Sequence, residues 1–452
     1  MSYAVYQYFM NGGMDAVIVR VYKPEENDDQ TGKATFSITG STFKLEAPNP
    51  GAWGEHLKIS IDHKVDDKYK DDTTIFNITV EDGKTGHREA FRNVSTNSDH
   101  PSFIKSILKE ESELVRIKGE VPVARPPVNN SDKTAEFSYD SNTASDGNPI
   151  DDPKIFIGDE NAKTGLNAFN KVDDLNLLCI PPPRITDETT SKDVYAKALE
   201  YCEKRRAMLI VDPPAKWKKK DDAMNGIEPT DLGFDRSSYA AIFFPRIKAA
   251  DPEENYRLRE FVPCGMVAGV IARTDGQRGI WKAPAGIEAT LRGVSDLTVR
   301  LTDKENGDLN PLGINCLRIF PVVGPIVWGA RTMRGADRLT DQWKYLPVRR
   351  MALYIEESLY RGTHWVVFEP NDEPLWSQIR LNVGAFMHGL FRQGAFQGST
   401  PKDAYFVKCD KETTTQYDID RGIVNIIVGF APLKPAEFVI IKIQQITGQE
   451  AV

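Results

Sequence analysis

Two hydrophobic periods divide this chain, and no single sheet or helical bundle accommodates both. From about residue 25 to residue 152, short alternating runs such as "KATFSITG", "HLKISID" and "TIFNITV" are separated by Asp, Asn, Gly and Lys. Apolar residues at every second position mark strands with one face in a core, so this stretch predicts a β-rich module with polar turns. Its far end, "RPPVNNSDKTAEFSYDSNTASDGNPIDDP", reads as a surface loop or linker, because Ser, Asn, Asp and Pro leave little to bury. From residue 153 to about 275, apolar runs alternate with segments of helical period. "DLNLLCIP", "AMLIVDPP" and "YAAIFFP" read as strands. "TSKDVYAKALEYCEKRR" reads as a helix with Val194, Ala198, Tyr201 and Cys202 on one side, and "GMVAGVIARTD" as an apolar helix of small residues. This alternation predicts a βαβ-type layer around a partly parallel sheet.

The last third is the most regular. "LPVRRMALYIEESLYRG" places Val348, Met351, Ala352, Ile355 and Leu359 on one face and ends at Gly362. "NDEPLWSQIRLNVGAFMHGLFRQG" places Leu375, Ile379, Val383, Phe386 and Leu390 on one face, with Ser377, Arg380, Gly384, His388 and Arg392 opposite. Three strands are expected after it, in "DAYFVKCD", "GIVNIIVGFAP" and "AEFVIIKIQQI". At the other end, "YAVYQYFMNGG" reads as the tail of an amphipathic helix closed by Gly12 and Gly13, leading into a strand "DAVIVRVY". A helix that starts this abruptly reads as part of a longer unit, so a truncated form, a processed form and a natural short variant are all open.

Composition narrows the function. The 452 residues suggest about three domains. The net charge of -8 disfavours nucleic acid or an anionic membrane surface as a partner of the whole chain. The five cysteines, Cys179, Cys202, Cys264, Cys316 and Cys409, are scattered and odd in number, which reads as buried thiols in a reducing compartment. The six histidines form no metal-ligand spacing. The first residues lack the pattern of a signal peptide, and no apolar run of about 18 residues occurs. A cytoplasmic origin is expected.

Catalytic motifs fail one after another. "KIFIGDENAKTG" carries Lys163 and Thr164, but Ala162 stands where a phosphate-binding loop needs glycine, and the spacing is one residue short. A turn after a strand is the plainer reading. "RGIWKAPAG" has Gly279 and Gly286 seven apart with Trp281 and Pro284 between them. Proline offers no amide to a phosphate, so a structural loop anchored by Trp281 is expected. No Gly-x-Ser-x-Gly elbow exists. Cys264 precedes a helix that could lower a thiol pKa, although a small buried thiol is the commoner case. Asp303, Glu305 and Asp308 in "TDKENGDLN" lack the remaining ligands of a calcium loop. No catalytic residue, cofactor or metal is assigned.

The chain resembles the contractile tail sheath family of contractile phages, R-type bacteriocins and extracellular contractile injection systems. The resemblance is carried in order by "RGIWKAPAG", "LTDKENGDLNPLGINCLRIFP", "VWGARTM", "WKYLPVRRMALYIEESLYRGTHWVVFEPNDEPLWSQIR", "GAFQGSTPKDAYFVKCD" and "VNIIVGFAPLKPAEFVIIKI". "CIPPP", "LIVDPP" and "AVYQYFMNGG" add to it upstream. The β-rich stretch matches only in style, through "APNPGAWGEHLKISI".

What the resemblance implies is a non-enzymatic subunit that stacks in rings of six around an inner tube. A baseplate trigger then lets the sheath shorten and drive the tube through a target envelope. Partners would be copies of itself, the inner tube protein, and baseplate and terminal cap proteins, with no nucleic acid, no direct membrane insertion and no cofactor. The fold expected is multi-domain α+β and α/β. A discontinuous inner α/β sheath domain (residues 1–24, a middle part at 153–261 and a C-terminal part at 262–452) would carry an inserted β-rich outer domain at 25–152. Phe438, Ile440, Ile441 and Ile443 would add a strand to a neighbouring subunit. Arg380, His388 and Arg392 would face the inner tube. Gly279, Trp281, Pro284 and Gly286 would form a structural loop. Assembly would take place in the bacterial cytoplasm, and the product would be a virion tail or a released particle. The competing reading is an α/β enzyme that handles a phosphate-containing substrate near Lys163.

Overall fold

The computed structural model describes residues 2–25, 32–38, 41–128, 137–139, 144–150, 152–183 and 192–437. Helices and several separate sheets make it a multi-domain α+β protein. The chain forms two compact units, one of Arg20–Ile155 and one that joins Met1–Val19 to Phe156–Val452.

In the first unit, Leu57–Asp62, Ile75–Asp82 and Arg88–Ser95 pair antiparallel in that order. Period two does what was expected of it, since Leu57, Ile59 and Ile61 are buried while Lys58 and Ser60 are exposed. A four-stranded sheet runs in the order Arg116–Ile117, Lys44–Glu46, Thr35–Ile38, Phe137–Tyr139. Phe36, Phe43, Leu45, Ile61, Phe76 and Ile78 close a common core with Ile104 and Leu108 of the helix Ile104–Glu110.

The second unit is built on a five-stranded sheet. Its strands are β1 (Leu177–Cys179), β2 (Met208–Val211), β3 (Ala240–Phe244), β4 (Ile314–Phe320) and β5 (Gly324–Val327), in the order β5-β4-β3-β2-β1. The first four are parallel, and β5 returns antiparallel to β4. Every residue of β3 is buried. Ala240, Ile242 and Phe244 pack with helix α2 (Lys192–Arg205), through Val194, Ala198 and Cys202. Ala241 and Phe243 pack on the other face with helix α3 (Cys264–Arg278), through Val267, Val270 and Ile271. A parallel sheet needs both faces covered, and continuous apolar strands with a helix on each side satisfy that.

The N-terminal helix α1 (Ser2–Met10) lies against α3. The approach is close because α3 offers glycines there. A Cβ at Gly265 would stand 2.2 Å from the Ala4 carbonyl oxygen, and one at Gly269 would stand 2.5 Å from the Tyr8 carbonyl oxygen. Asn11 then pins the helix end. Its amide donates to the Arg292 carbonyl at 3.3 Å and its carbonyl oxygen accepts from the Arg292 amide at 2.8 Å.

A further core is formed by α4 (Leu346–Gly362) and α5 (Glu373–Arg392) over a two-stranded sheet, β6 (Tyr405–Lys408) and β7 (Ile427–Phe430). Met351 and Ile355 meet Leu375, Trp376, Ile379, Val383, Met387 and Leu390 there.

Two expectations are corrected. "DAVIVRVY" is not a strand: residues 15–22 are outside every element, with Val17 and Ile18 more than half exposed. An alternating pattern makes a strand only where a partner supplies hydrogen bonds, and none among the described residues does so. "KIFI" is not a strand before a turn either, since Pro153–Ile157 is a short helix. The expected third C-terminal strand, "AEFVIIKIQQI", lies outside the described residues from Phe438 onward.

Candidate functional site

The loop "RGIWKAPAG" leaves α3 at Gly279, whose φ of 95° no bulkier residue adopts cheaply. Ile280 and Trp281 pack against the α4/α5 core, whereas Ala283 and Ala285 pack against the core that contains α3 and the sheet. Pro284 between them is buried. Gly286, at φ 105°, donates its amide to the Val327 carbonyl at 2.9 Å and ties the loop to β5. The loop therefore touches two cores within a few residues.

On α5, the three expected tube-facing residues do not share one environment. Arg380 is held inside the chain. Its guanidinium donates to Glu373 Oε1 at 2.6 Å, to Ser377 Oγ at 2.9 Å and to the Cys409 carbonyl. The Glu373 hydrogen bond holds the Arg380 guanidinium more basic than usual. His388 is exposed, with Nδ1 3.3 Å from Tyr405 Oη, and Arg392 is exposed. Helical spacing explains the split. Residues 380 and 392 are twelve apart, about 120° around the helix at 3.6 residues per turn, whereas Leu381, His388 and Arg392 share one side. Leu381 is 74% exposed, which leaves a large apolar side chain on that side in solvent.

β6 and β7 pair only with each other among the described residues. A two-stranded sheet is marginal by itself, and the edges it leaves open among the described residues offer donors and acceptors to a further strand. A cavity of about 380 Å³ lies beside β7, lined by Trp343, Ile355, Leu359, Tyr360, Val428 and Phe430 among others.

The positions considered for catalysis are occupied otherwise. Lys163 is exposed in a left-handed turn at φ 52°. The amides a phosphate would need are already donated within that turn, from Asp159 to Thr164 Oγ1 at 2.9 Å and from Ala162 to Asp159 Oδ1 at 2.6 Å. Asp303 and Glu305 open a helix, Asp303–Leu309, in which Thr302 and Glu305 cap each other. His87, Glu89 and Glu113 come together in the first unit, but both Glu89 oxygens already accept, from the Ser112 hydroxyl at 2.6 Å and the Glu113 amide at 2.7 Å.

Cys264 is fully buried. Its carbonyl accepts from the Cys179 thiol at 3.6 Å, and its amide donates to Asp212 Oδ1 at 2.9 Å. A side-chain hydrogen bond with Cys179, then burial, push the Cys264 thiol well above the ordinary value, so the helix start does not make it a nucleophile. Burial pushes the Asp212 carboxyl up to about 7, against a weaker opposing effect of the Cys264 hydrogen bonds. The folded chain therefore keeps a proton on Asp212 that the unfolded chain releases from about pH 4 upward. Stability from this group falls as pH rises from about 4 to about 7. The D212N chain, which keeps an acceptor for the Cys264 amide, is expected to show a flatter urea midpoint across that window than the wild type.

The fold and these sites define a multi-domain α+β protein whose distinguishing side chains join packed elements. A family model described as the phage tail sheath protein central domain matches residues 157–333, and one described as the phage tail sheath C-terminal domain matches residues 339–446. Among solved structures, a chain of the anti-feeding prophage helical sheath in its contracted state is 31% identical, with a TM-score of 0.55 over 69% of this chain and 78% of that one. A chain of the six-fold symmetrised anti-feeding prophage baseplate is 30% identical, with a TM-score of 0.55 over 67% and 77%. A chain of the contracted sheath complex of an extracellular contractile injection system, PVC, is 30% identical, with a TM-score of 0.52 over 62% and 75%. No curated protein matches. The chain belongs to the contractile tail sheath family. No helix among the described residues is long and apolar enough to cross a membrane.

Proposed function

We propose that this chain is the repeating subunit of a contractile sheath, stacked in rings of six around an inner tube and shortening to drive that tube through a target envelope. The observation that carries this is the pair of sheath domain matches, together with about 30% identity to a sheath chain seen in the contracted state. The six-fold baseplate relative supports the ring number and a baseplate partner. A terminal cap and assembly in the bacterial cytoplasm before release belong to the same reading. Contraction would draw on subunit packing and not on a bound nucleotide.

Residues 1–24, 153–261 and 262–452 would make the inner domain, and 25–152 the outer one. Phe438, Ile440, Ile441 and Ile443 would add to an open edge of the β6–β7 sheet of a neighbouring copy, with apolar side chains entering the cavity beside β7. The tube would meet the Leu381, His388 and Arg392 side of α5. Arg380 would set the position of that helix through Glu373 and Cys409.

Charge reversal tests the tube contact. R392E combined with H388E is expected to cut co-sedimentation with preassembled inner tubes at least tenfold near 0.1 M salt, because long-range attraction survives only within about 10 Å there. Unchanged co-sedimentation would remove this face from the account.

A further inference from the structure

Two of the stretches that carry the family resemblance, "VWGARTM" and "APLKPAEFV", meet inside the second unit at one ion pair. Arg331 is fully buried. Its Nε and Nη2 donate to Glu437 Oε1 and Oε2 at 2.7 and 2.5 Å, a fork on a carboxylate. Its Nη1 donates to the carbonyls of Asn310 and Gly335 and to Asp337 Oδ1, at 2.9, 3.0 and 2.9 Å. Every guanidinium nitrogen is therefore engaged.

The mount of Arg331 is rigid. The Asn315 side chain, itself buried, donates to the Arg331 carbonyl at 2.8 Å and accepts from the Arg331 amide at 2.6 Å. It also donates to the Ile242 carbonyl of β3 at 3.1 Å, so the arginine backbone is fastened to the central sheet. On the other side, Glu437 also accepts from Tyr345 Oη at 3.2 Å and from Asn310 Nδ2 at 3.4 Å. Burial opposes the charge on Glu437, yet the Arg331 fork holds its carboxyl below the usual range.

Glu437 lies seven residues beyond the end of β7 at Phe430. After β7 ends at Phe430, the backbone is held by Ala431, which exchanges bonds with Ala404 and Gln397, and by a bridge between Pro432 and Phe396. Beyond that bridge, the hydrogen-bonded tie among the described residues is the Glu437 side chain. A buried ion pair adds little net stability over an apolar contact, but it fixes one geometry, because a slipped register would leave both charges unpaired.

We infer that Arg331 and Glu437 form a joint that fastens the chain beyond β7 to the central sheet, and that a pull on the chain from its C-terminal side is resisted there and not by the marginal β6–β7 sheet. The role in transmitting a pull rests on the sheath reading, while the joint itself does not.

The test is hydrogen exchange on the full chain, in wild type, E437Q and E437A. The joint predicts that the amides of Gln397 and Ala431, whose hydrogen bonds hold the backbone just before it, exchange about tenfold faster in E437Q and faster still in E437A, with α3 and the central sheet unchanged, as local opening requires. Unchanged exchange at Gln397 and Ala431 in both variants would overturn the joint. Loss of cooperative unfolding in either variant would also overturn it, because the pair would then be part of the core. Assembly of the same chains is scored separately by electron microscopy. Faster exchange with normal assembly keeps the joint and sinks its role in transmitting a pull.

Discussion

A Gly265→Val chain is expected to release its N-terminal helix. The Cβ of any larger residue there would stand 2.2 Å from the Ala4 carbonyl oxygen, and the obstacle is backbone, which cannot swing aside as a flexible side chain would. Gly269, one turn further along α3, meets the Tyr8 carbonyl in the same way at 2.5 Å. Overpacking of a close contact costs roughly 1–3 kcal/mol, and two β-branched insertions on the same face should reach the upper part of that range. The loss has a definite place. With Ser2–Met10 displaced, Asn11 loses its bonds to Arg292, and the Arg273 guanidinium loses the Asn11 carbonyl at 3.0 Å. The expected result for G265V with G269V is a lower urea midpoint, together with near-complete exchange of amides 3–13 while β2 and β3 stay protected. Protection of 3–13 at the wild-type level would mean that the two helices do not need this approach.

That contact also shows what the sequence could and could not disclose. "GMVAG" is legible as a small-residue helix, yet nothing local says that its partner comes from the opposite end of the chain, more than 250 residues away. The helices Leu346–Gly362 and Glu373–Arg392 were readable because each buries one stripe, and that stripe writes a 3.6-residue period into the sequence. The strands of the central sheet were readable as apolar runs cut short by proline or polar turns. "DAVIVRVY" carried the same signal and forms no strand, because alternation records a preference and pairing depends on a neighbour. The helix Asp303–Leu309 is spelled by the capping box of Thr302 and Glu305, but the same carboxylate spacing also resembles part of a calcium loop, so the acidic residues alone do not distinguish the two.

The polar side of α5 was legible only in part. His388 and Arg392 emerge on one exposed side of α5, but Arg380, counted with them by charge, turns to Glu373 within its own helix. Arg331 gave no local signal. A buried arginine is tolerable only with its partners in place, and Glu437 is 106 residues away. Cys264 and Asp212 raise the same point for catalysis. A helix start could have activated the thiol, and only the folded surroundings, a hydrogen bond with Cys179 ahead of burial for Cys264 and burial for Asp212, show that both groups hold their protons more tightly than usual.

Removal of residues 438–452 is expected to abolish assembly while leaving the folded body intact. The residues named in the cores above all remain in the shortened chain. Glu437 and its bonds to Arg331 remain in the shortened chain, so its thermal midpoint should stay within a few degrees of the full chain, a shift that corresponds to about 1 kcal/mol or less. What would be lost is the apolar strand proposed for the open β6–β7 sheet of a neighbour. Tubes or rings formed equally by the shortened chain would show that strand addition from this segment is dispensable.

The central claim is that this chain assembles around an inner tube as a sheath subunit. Cryo-electron microscopy of the full chain, co-expressed with its inner tube and baseplate proteins, tests it most directly. The account predicts tubes covered by six-fold layers of this chain, with the α5 side bearing His388 and Arg392 against the tube. Bare tubes beside dispersed copies of the chain would contradict it.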